Sequence, residues 1–421
     1  MKKNRLSTIL IIGLITTLIF TGCNSSDEPS VSVSDSTSAF SGDSAFTSDS
    51  SEPSDSSVSS ELQKASSTLM EAPSDDSRSE AQKFVAQMNV GWNLGNTLDA
   101  HGAGSSTADE TYWGNPKTTQ EMIDAVYAQG FNTIRIPITY AEHIGEAPDY
   151  TIDPLWMDRI QEIVDYAIKN DMFVIIDTHH EPDFWLVPNK DNEETSTAIL
   201  CAIWKQVSER FKDYNDHLIF EGMNEPRVKG TPQEWNGGSP LERPVVDRMN
   251  QAFVDTVRAT GGNNESRYLI ICTYGNSASE ICIRNLVIPE DDHIIVAVHM
   301  YTPYLFTYAA DGSYSNWDGT KISDITSAAK NLKVYFENGG VPVIITEFGA
   351  VNKNNEEEVI KWLSDFMSTM NEYGIKCVWW DNGVYTGSGE KFGIFNRKNL
   401  SWYSQNIADA LINNAICENS K

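Results

Sequence analysis

The sequence predicts an α/β fold, a (β/α)8 barrel preceded by a disordered N-terminal linker. Three observations predict it. Short apolar, β-branched runs alternate with stretches of helical period along most of the chain. There are eight such runs, the number that closes a parallel barrel. Polar and aromatic residues gather at one end of each run, where a parallel barrel carries its chemistry.

The runs are Gly91–Thr97, Thr133–Thr139, Phe173–Thr178, Leu218–Gly222, Tyr268–Tyr274, Ile294–Met300, Val343–Glu347 and Cys377–Trp380. Helices are expected near Thr119–Gln129, Pro154–Asn170, Thr195–Asp213, Val245–Ala259, Ser323–Glu337 and Glu356–Tyr373, with shorter ones near Ala278–Asn285 and Ser404–Asn413. One unit shows the logic. Asp153 is placed to cap a helix, and Pro154 suits the first helical position, whose N–H has no partner anyway. Ile160, Ile163, Val164, Ala167 and Ile168 then recur on one face, and Phe173-Val174-Ile175-Ile176 begins the next buried strand. No GxGxxG follows the first strand, which counts against an open dinucleotide-binding sheet.

The N-terminus has another character. Lys2, Lys3 and Arg5 precede an apolar run, Ile9 to Phe20, too short to span a bilayer comfortably. Residues 1–23 therefore read as an export signal. Thr21-Gly22-Cys23 resembles a bacterial lipobox, in which Cys23 is lipidated, although Phe20 stands where Leu is usual. Residues 24–80 are rich in Ser, Asp, Glu and Pro and too poor in large apolar groups to offset the entropy of ordering. They are expected to be a disordered spacer between an anchor and the folded domain, residues 81–421. The expected location is extracellular, either secreted or tethered to the outer face of a membrane.

The net charge is -28. Such a chain repels nucleic acid phosphates and anionic membranes, so the only expected membrane contact is a lipid on Cys23. A neutral polymer carries no such penalty. Five cysteines follow Cys23, and an odd number cannot all pair internally. Cys201, Cys272 and Cys377 lie in apolar segments and read as small buried hydrophobes. No metal-ligand spacing is recognisable, and His179-His180 on a strand would point to opposite faces. No metal and no cofactor are expected, and the protein is expected to be a monomer.

Two strand tips carry glutamates. In HLIFEGMNEPR, Pro226 disfavours further regular structure at Glu225. In VPVIITEFGA, Glu347 closes a second buried run. Facing one another across a cleft, two such carboxyls would form the pair that glycosidic-bond cleavage requires.

The motifs GWNLGNTLD, WGNPKTT, GFNTIRIPI, VIIDTHH, FEGMNEPR, VHMYTPY, IITEFG and WWDNG, in this order, resemble those of glycoside hydrolase family 5, and most closely its bacterial endo-β-1,4-glucanase branch. The resemblance runs from about Phe84 to the C-terminus. It implies a retaining hydrolase of cellulose-type and related β-glucans, with Glu225 as acid/base and Glu347 as nucleophile. It matches Arg135, His179, Asn224, His299, Tyr301 and Trp380 to the family's supporting positions. Arg135 and Tyr301 are expected to hold Glu347, Asn224 to bind a sugar 2-hydroxyl, and His299 to position Glu225 or Tyr301. His179 and His180 are expected to meet sugar hydroxyls, and Trp380 to stack on a pyranose ring. Asn96 and Asn382, at the first and last tips, complete the set. Burial and a charged neighbour are expected to raise the pKa of Glu225 so that it can donate a proton. Trp113, Trp185 and Trp317 sit in loops on this side and read equally as stacking platforms or loop clamps. Trp204 and Trp402 fall in helical patterns and read as core. A xyloglucanase, a β-mannanase or a non-catalytic carbohydrate-binding surface protein are the alternatives, and the intact glutamate pair argues against the last. No GxSxG elbow supports a serine hydrolase.

Overall fold

The computed structural model describes residues 77–103, 109–309 and 314–415. The export signal, Cys23, nearly all of the linker and Cys417 lie outside the described residues. Eight parallel strands close in sequential order: β1 (Gly91–Asn93), β2 (Thr133–Ile136), β3 (Phe173–Asp177), β4 (Leu218–Glu221), β5 (Leu269–Ser277), β6 (Ile294–His299), β7 (Val343–Phe348) and β8 (Lys376–Trp379). The ring closes where Trp92 of β1 pairs Trp379 of β8. Strands β1 to β3 stop one to four residues short of the expected ends, because their tips turn away to carry side chains into a cleft. No helix among the described residues is long and apolar enough to cross a membrane.

The surrounding helices fall within two or three residues of expectation. In the helix Pro154–Ile168, Asp153 accepts a hydrogen bond from the Leu155 N–H, and Trp156, Ile160, Ile163, Val164 and Ala167 are buried. It ends two residues early because Asp171 turns into a left-handed conformation, φ 57°. Trp204 is core, as expected. Trp402 instead lies on a two-residue strand paired with Phe395–Asn396, and packs on Phe131 and Phe395. Cys272, Cys282 and Cys377 are buried thiols, whereas Cys201 is only half-buried.

Of the elements that were not expected, one bears on the whole barrel. A helix at Glu80–Ala86, here α1, caps the amino-terminal mouth of the barrel. Ser79 and Gln82 form a reciprocal capping box at its start. Phe84 stacks on Tyr268 with centroids 3.8 Å apart and meets Phe173 edge-on. Ala81, Val85 and Met88 join the same apolar cluster as Ile175, Ile219, Ile270, Ala297, Ile344 and Val378 of the barrel strands. The expected boundary between residues 80 and 81 thus falls inside folded structure, since Ser79 already belongs to the cap.

Candidate active site

Residues two apart on a strand share a face. Following β3, β4 and β6 upward from the plug, Ile175 is therefore succeeded by Asp177, Ile219 by Glu221 and Ala297 by His299. Within one step the interior changes from hydrocarbon to charge. Arg135, wholly buried on β2, stands at the centre. Its Nη1 donates to Glu347 at 2.8 Å and to Asn93 at 3.1 Å, its Nε to Glu221 at 2.6 Å, and its Nη2 to Asp177 and Asn224, both at 2.7 Å. Burial disfavours the guanidinium charge, but Glu221, Asp177 and Glu347 outweigh that and hold it firmly protonated.

Asp177 also accepts from Nδ1 of His179 at 2.8 Å. Burial would discharge this imidazole, yet Asp177 and then Asp99 push its pKa up to about 9. Glu347 is fixed from its other side by the Tyr301 hydroxyl, which donates to Oε2 at 3.0 Å. Glu225 accepts from His299 Nδ1 at 2.9 Å. Asn276 settles the imidazole tautomer. Its Nδ2 donates to the Asn224 carbonyl at 2.8 Å and faces His299 Nε2 at 3.1 Å, so Nε2 accepts and Nδ1 carries the hydrogen that points at Glu225. One oxygen of Glu225, a ring nitrogen of His299 and one oxygen of Glu347 all lie within 4.8 Å of one another. A cleft of about 890 Å³ opens over them.

A scan of family models matches residues 96–386 to the cellulase family, glycosyl hydrolase family 5. The chain belongs to glycosyl hydrolase family 5. Endoglucanase A of Ruminococcus albus is 52% identical over 339 residues, covering 80% of this chain and 93% of that protein. Among solved structures, a family 5 xyloglucan-specific endo-β-1,4-glucanase from a metagenomic library, in complex with cellotriose, is 53% identical with a TM-score of 0.78, over 79% of this chain and 98% of that one. A broad-specificity endoglucanase from Ruminococcus champanellensis with bound cellotriose is 43% identical with a TM-score of 0.77, over the same shares.

In this glycoside hydrolase, the side chains of Glu225, Glu347, Arg135, His179, His180, Asn224, His299, Tyr301 and Trp380 converge at the carboxyl end of the barrel. His179 and His180 do not point apart as adjacent strand residues should. Strand β3 has already ended at Asp177, the two rings lie 4.5 Å apart, and both line the cleft. With Asp99 they offer three potential ligand atoms within 4.8 Å of one another. These side chains have other partners, however: Asp99 accepts from the Asn96 and Thr97 N–H groups, and His179 holds Asp177. Trp380 lies parallel to His179 and is nearly buried, 7% exposed. A side chain at Gly95 would strike its indole at 2.8 Å, so only glycine lets Trp380 seat there.

Asn96 and Asn382 take supporting places. Asn96 has φ 54°, and its carbonyl accepts from Asn115. Asn382 holds the loop after β8, donating to the Glu390 carbonyl and accepting from the Val384 N–H. Of the loop tryptophans, Trp317 is a clamp: it is buried on Phe306 and donates to Asp365 at 2.7 Å. Trp185 is half-buried against the core. Trp113 faces His101 and His180 at the cleft's edge.

The expected pKa shift of Glu225 is reversed. Burial does push it up, but the hydrogen bond from His299, then the charges of Arg227 and His179, carry it below the ordinary carboxylate range. Considering only Glu347 as its neighbour omitted the His299 N–H and the Arg227 and His179 charges. Sequence reasoning also passed over Glu221, hidden in an apolar-looking strand, and did not assign roles to Asp177 and Asn276. Arg227 and Trp235 were missed too. A tryptophan inside the polar loop TPQEWNGG was the available signal.

Proposed function

We propose that the protein is an endo-acting retaining β-1,4-glucanase that hydrolyses cellulose-type and related β-glucans. The observation that carries this reading is the closeness of Glu225 and Glu347, one oxygen of each lying within 4.8 Å of the other. Retaining enzymes hold their two carboxyls about 5–5.5 Å apart and inverting ones about 6.5–9.5 Å apart to admit a water. The names of its relatives and their bound cellotriose support a β-glucan substrate.

In the first step a Glu347 oxygen attacks the anomeric carbon. The glycosidic C–O bond breaks, and Glu225 gives its proton to the departing oxygen. In the second step Glu225 removes a proton from water, water attacks the same carbon, and the bond to Glu347 breaks. The lowered pKa of Glu225 favours the carboxylate, the form required for this second step. A glycan that covers Glu225, which is 20% exposed, strips water from it and favours the protonated form needed first. Arg135 and Tyr301 each donate to a Glu347 oxygen and aim it. Asn224 accepts from Arg135 Nη2 through Oδ1, which turns its amide nitrogen, 3.5 Å from His179 Nε2, toward the cleft for a sugar 2-hydroxyl. His179 and His180 meet further hydroxyls, and Trp380 floors the pocket under a pyranose ring. Proton NMR of early product from a soluble β-glucan tests the reading. The β-anomer is expected first, and an initial α-anomer would overturn it.

The reading extends to location. Residues 1–23 direct export, Cys23 carries a lipid, and the acidic segment 24–80 spaces the enzyme from the surface. Metabolic labelling with a radioactive fatty acid should mark the parent and not C23A; equal labelling would refute the anchor.

A further inference from the structure

The proline-arginine step after the acid/base has a role that the two-carboxyl mechanism does not use. Arg227 reaches back from the loop after β4, with Nη1 donating to the Glu225 carbonyl at 3.0 Å and lying 3.3 Å from Glu225 Oε2. His299 holds the other oxygen, Oε1, so each oxygen of the acid/base has its own cationic or N–H partner. The same guanidinium makes two further contacts. Its Nε donates to Glu234 at 3.2 Å, and its plane lies over the Trp235 ring with 4.2 Å to the centroid. Glu234 is tied down in turn, accepting from the Gly230 N–H at 2.7 Å. Arg227 is 14% exposed, whereas Trp235 is 60% exposed and lines the cleft on the Glu225 side. The acid/base protonates the leaving group, so that is the leaving-group side of the scissile bond.

We propose that Arg227 is a positioning residue that links the Glu225 carboxyl to a sugar-stacking face on Trp235, so that one guanidinium governs both proton delivery and the seat of the leaving sugar. This rests on the two-glutamate reading above. The physical grounds are a planar cation held on three sides. A guanidinium stacked on an indole and anchored to a carboxylate is fixed in orientation, which a flexible ammonium is not. Fixed there, it favours the ionised form of Glu225, the form that activates water, and opposes the protonated form until a substrate covers the carboxyl. The other groups that face Glu225 are His299 from β6, Glu347 from β7, His179 beyond β3, Tyr301 and Tyr308 from the loop and short helix after β6, and Cys272 beneath on β5. None of these is the group that lies over the exposed tryptophan, which is Arg227.

The experiment compares the parent with R227Q, R227K and W235A on cellotetraose and on 2,4-dinitrophenyl β-cellobioside, whose activated leaving group needs no proton and brings no sugar. For R227Q, the basic limb of kcat/KM on cellotetraose should move up by about half a unit or more, because a cation that disfavours protonated Glu225 is gone. Its kcat/KM on the aryl glycoside, which reports the first step alone, should stay within about twofold of the parent, since proton donation is not required there. R227K keeps the charge and loses the stacked plane. Its limb should stay with the parent while its KM for cellotetraose rises several-fold, as in W235A. A folded R227Q whose limb coincides with the parent's overturns the proposal. So does an R227K that matches the parent in both limb and KM, which serves even where R227Q does not fold. A parent that releases no reducing sugar from any β-glucan defeats the two-glutamate reading instead, a result recognisable before any variant is made.

Discussion

The two ends of the barrel interior solve opposite problems with the same strands. At the amino-terminal mouth, α1 inserts Phe84 among Phe173, Tyr268, Ile175, Ile219 and Val378, a contact set without a charge. At the carboxyl end, one arginine is buried among Asp177, Glu221 and Glu347. The first arrangement stabilises, because burying a large aromatic removes much apolar surface from water. The second is a poor investment in stability, since desolvating a charge can cost as much as its partners return. What the charged end provides is fixity. Every oxygen of Glu347 and Glu225 is held from a named direction before substrate arrives, as electrostatic catalysis requires. A rigid hydrocarbon floor one residue step below lets such a network keep its geometry.

If that division holds, substitutions at the two ends should fail differently. E347A should lower kcat on carboxymethylcellulose by about 10⁴-fold or more, the loss expected of a nucleophile. Its melting temperature should stay within a few degrees of the parent, because one of the surplus buried carboxylates has gone. A variant still turning over at the parent rate would falsify the assignment of Glu347. F84A should behave in the reverse way. Truncating a buried Phe costs about 3–5 kcal/mol, which urea denaturation would read directly. Its kcat, measured at a temperature where it remains folded, should match the parent. A several-fold fall in kcat would show that the floor does more than support the upper network.

The same contrast explains what the sequence made legible. Eight β-branched runs and their helices could be placed within a few residues because period and caps are local signals, as Asp153-Pro154 shows. The glutamate pair was legible because each follows a buried run closely and has a chain-breaking residue, Pro226 or Gly349, just beyond it. Helix α1 was not, since its signal is a single capping box at the end of a Ser-rich tract, and its value comes from Tyr268 and Phe173, far along the chain. Glu221 was hidden because a charge on an inward face is meaningful only once Arg135 is known to stand beside it. The lowered pKa of Glu225 depended on Arg227, His299 and His179 arriving from three elements, which no spacing announces. The paired histidines were misjudged for a simpler reason: strand alternation was applied to residues that lie just past the strand.

The smallest effect sharpens the comparison most, because it asks whether the charged end contributes to stability at all. His179 has a folded pKa of about 9 against 6.5 for a free imidazole. A group whose pKa rises on folding stabilises fully below its unfolded value, and that stabilisation fades as pH climbs through the folded one. The contribution from the Asp177–His179 pair should therefore be complete below about pH 6.5 and gone above about pH 9, a loss of at most about 3 kcal/mol. Glu181, which burial pushes to about 8, adds a slope of the same sign from its free value near 4.5 upward, so the parent alone cannot isolate the imidazole. The difference between parent and H179Q isolates the imidazolium together with the groups its charge acts on, because Gln carries no titrating proton and the imidazolium lowers Glu181, Asp177 and Asp99 only in the parent. Urea unfolding at intervals from pH 6 to 9.5 should show the two proteins converging as pH rises. Parallel curves would mean that the imidazolium adds nothing to folding and that the upper end of the barrel is held for chemistry alone.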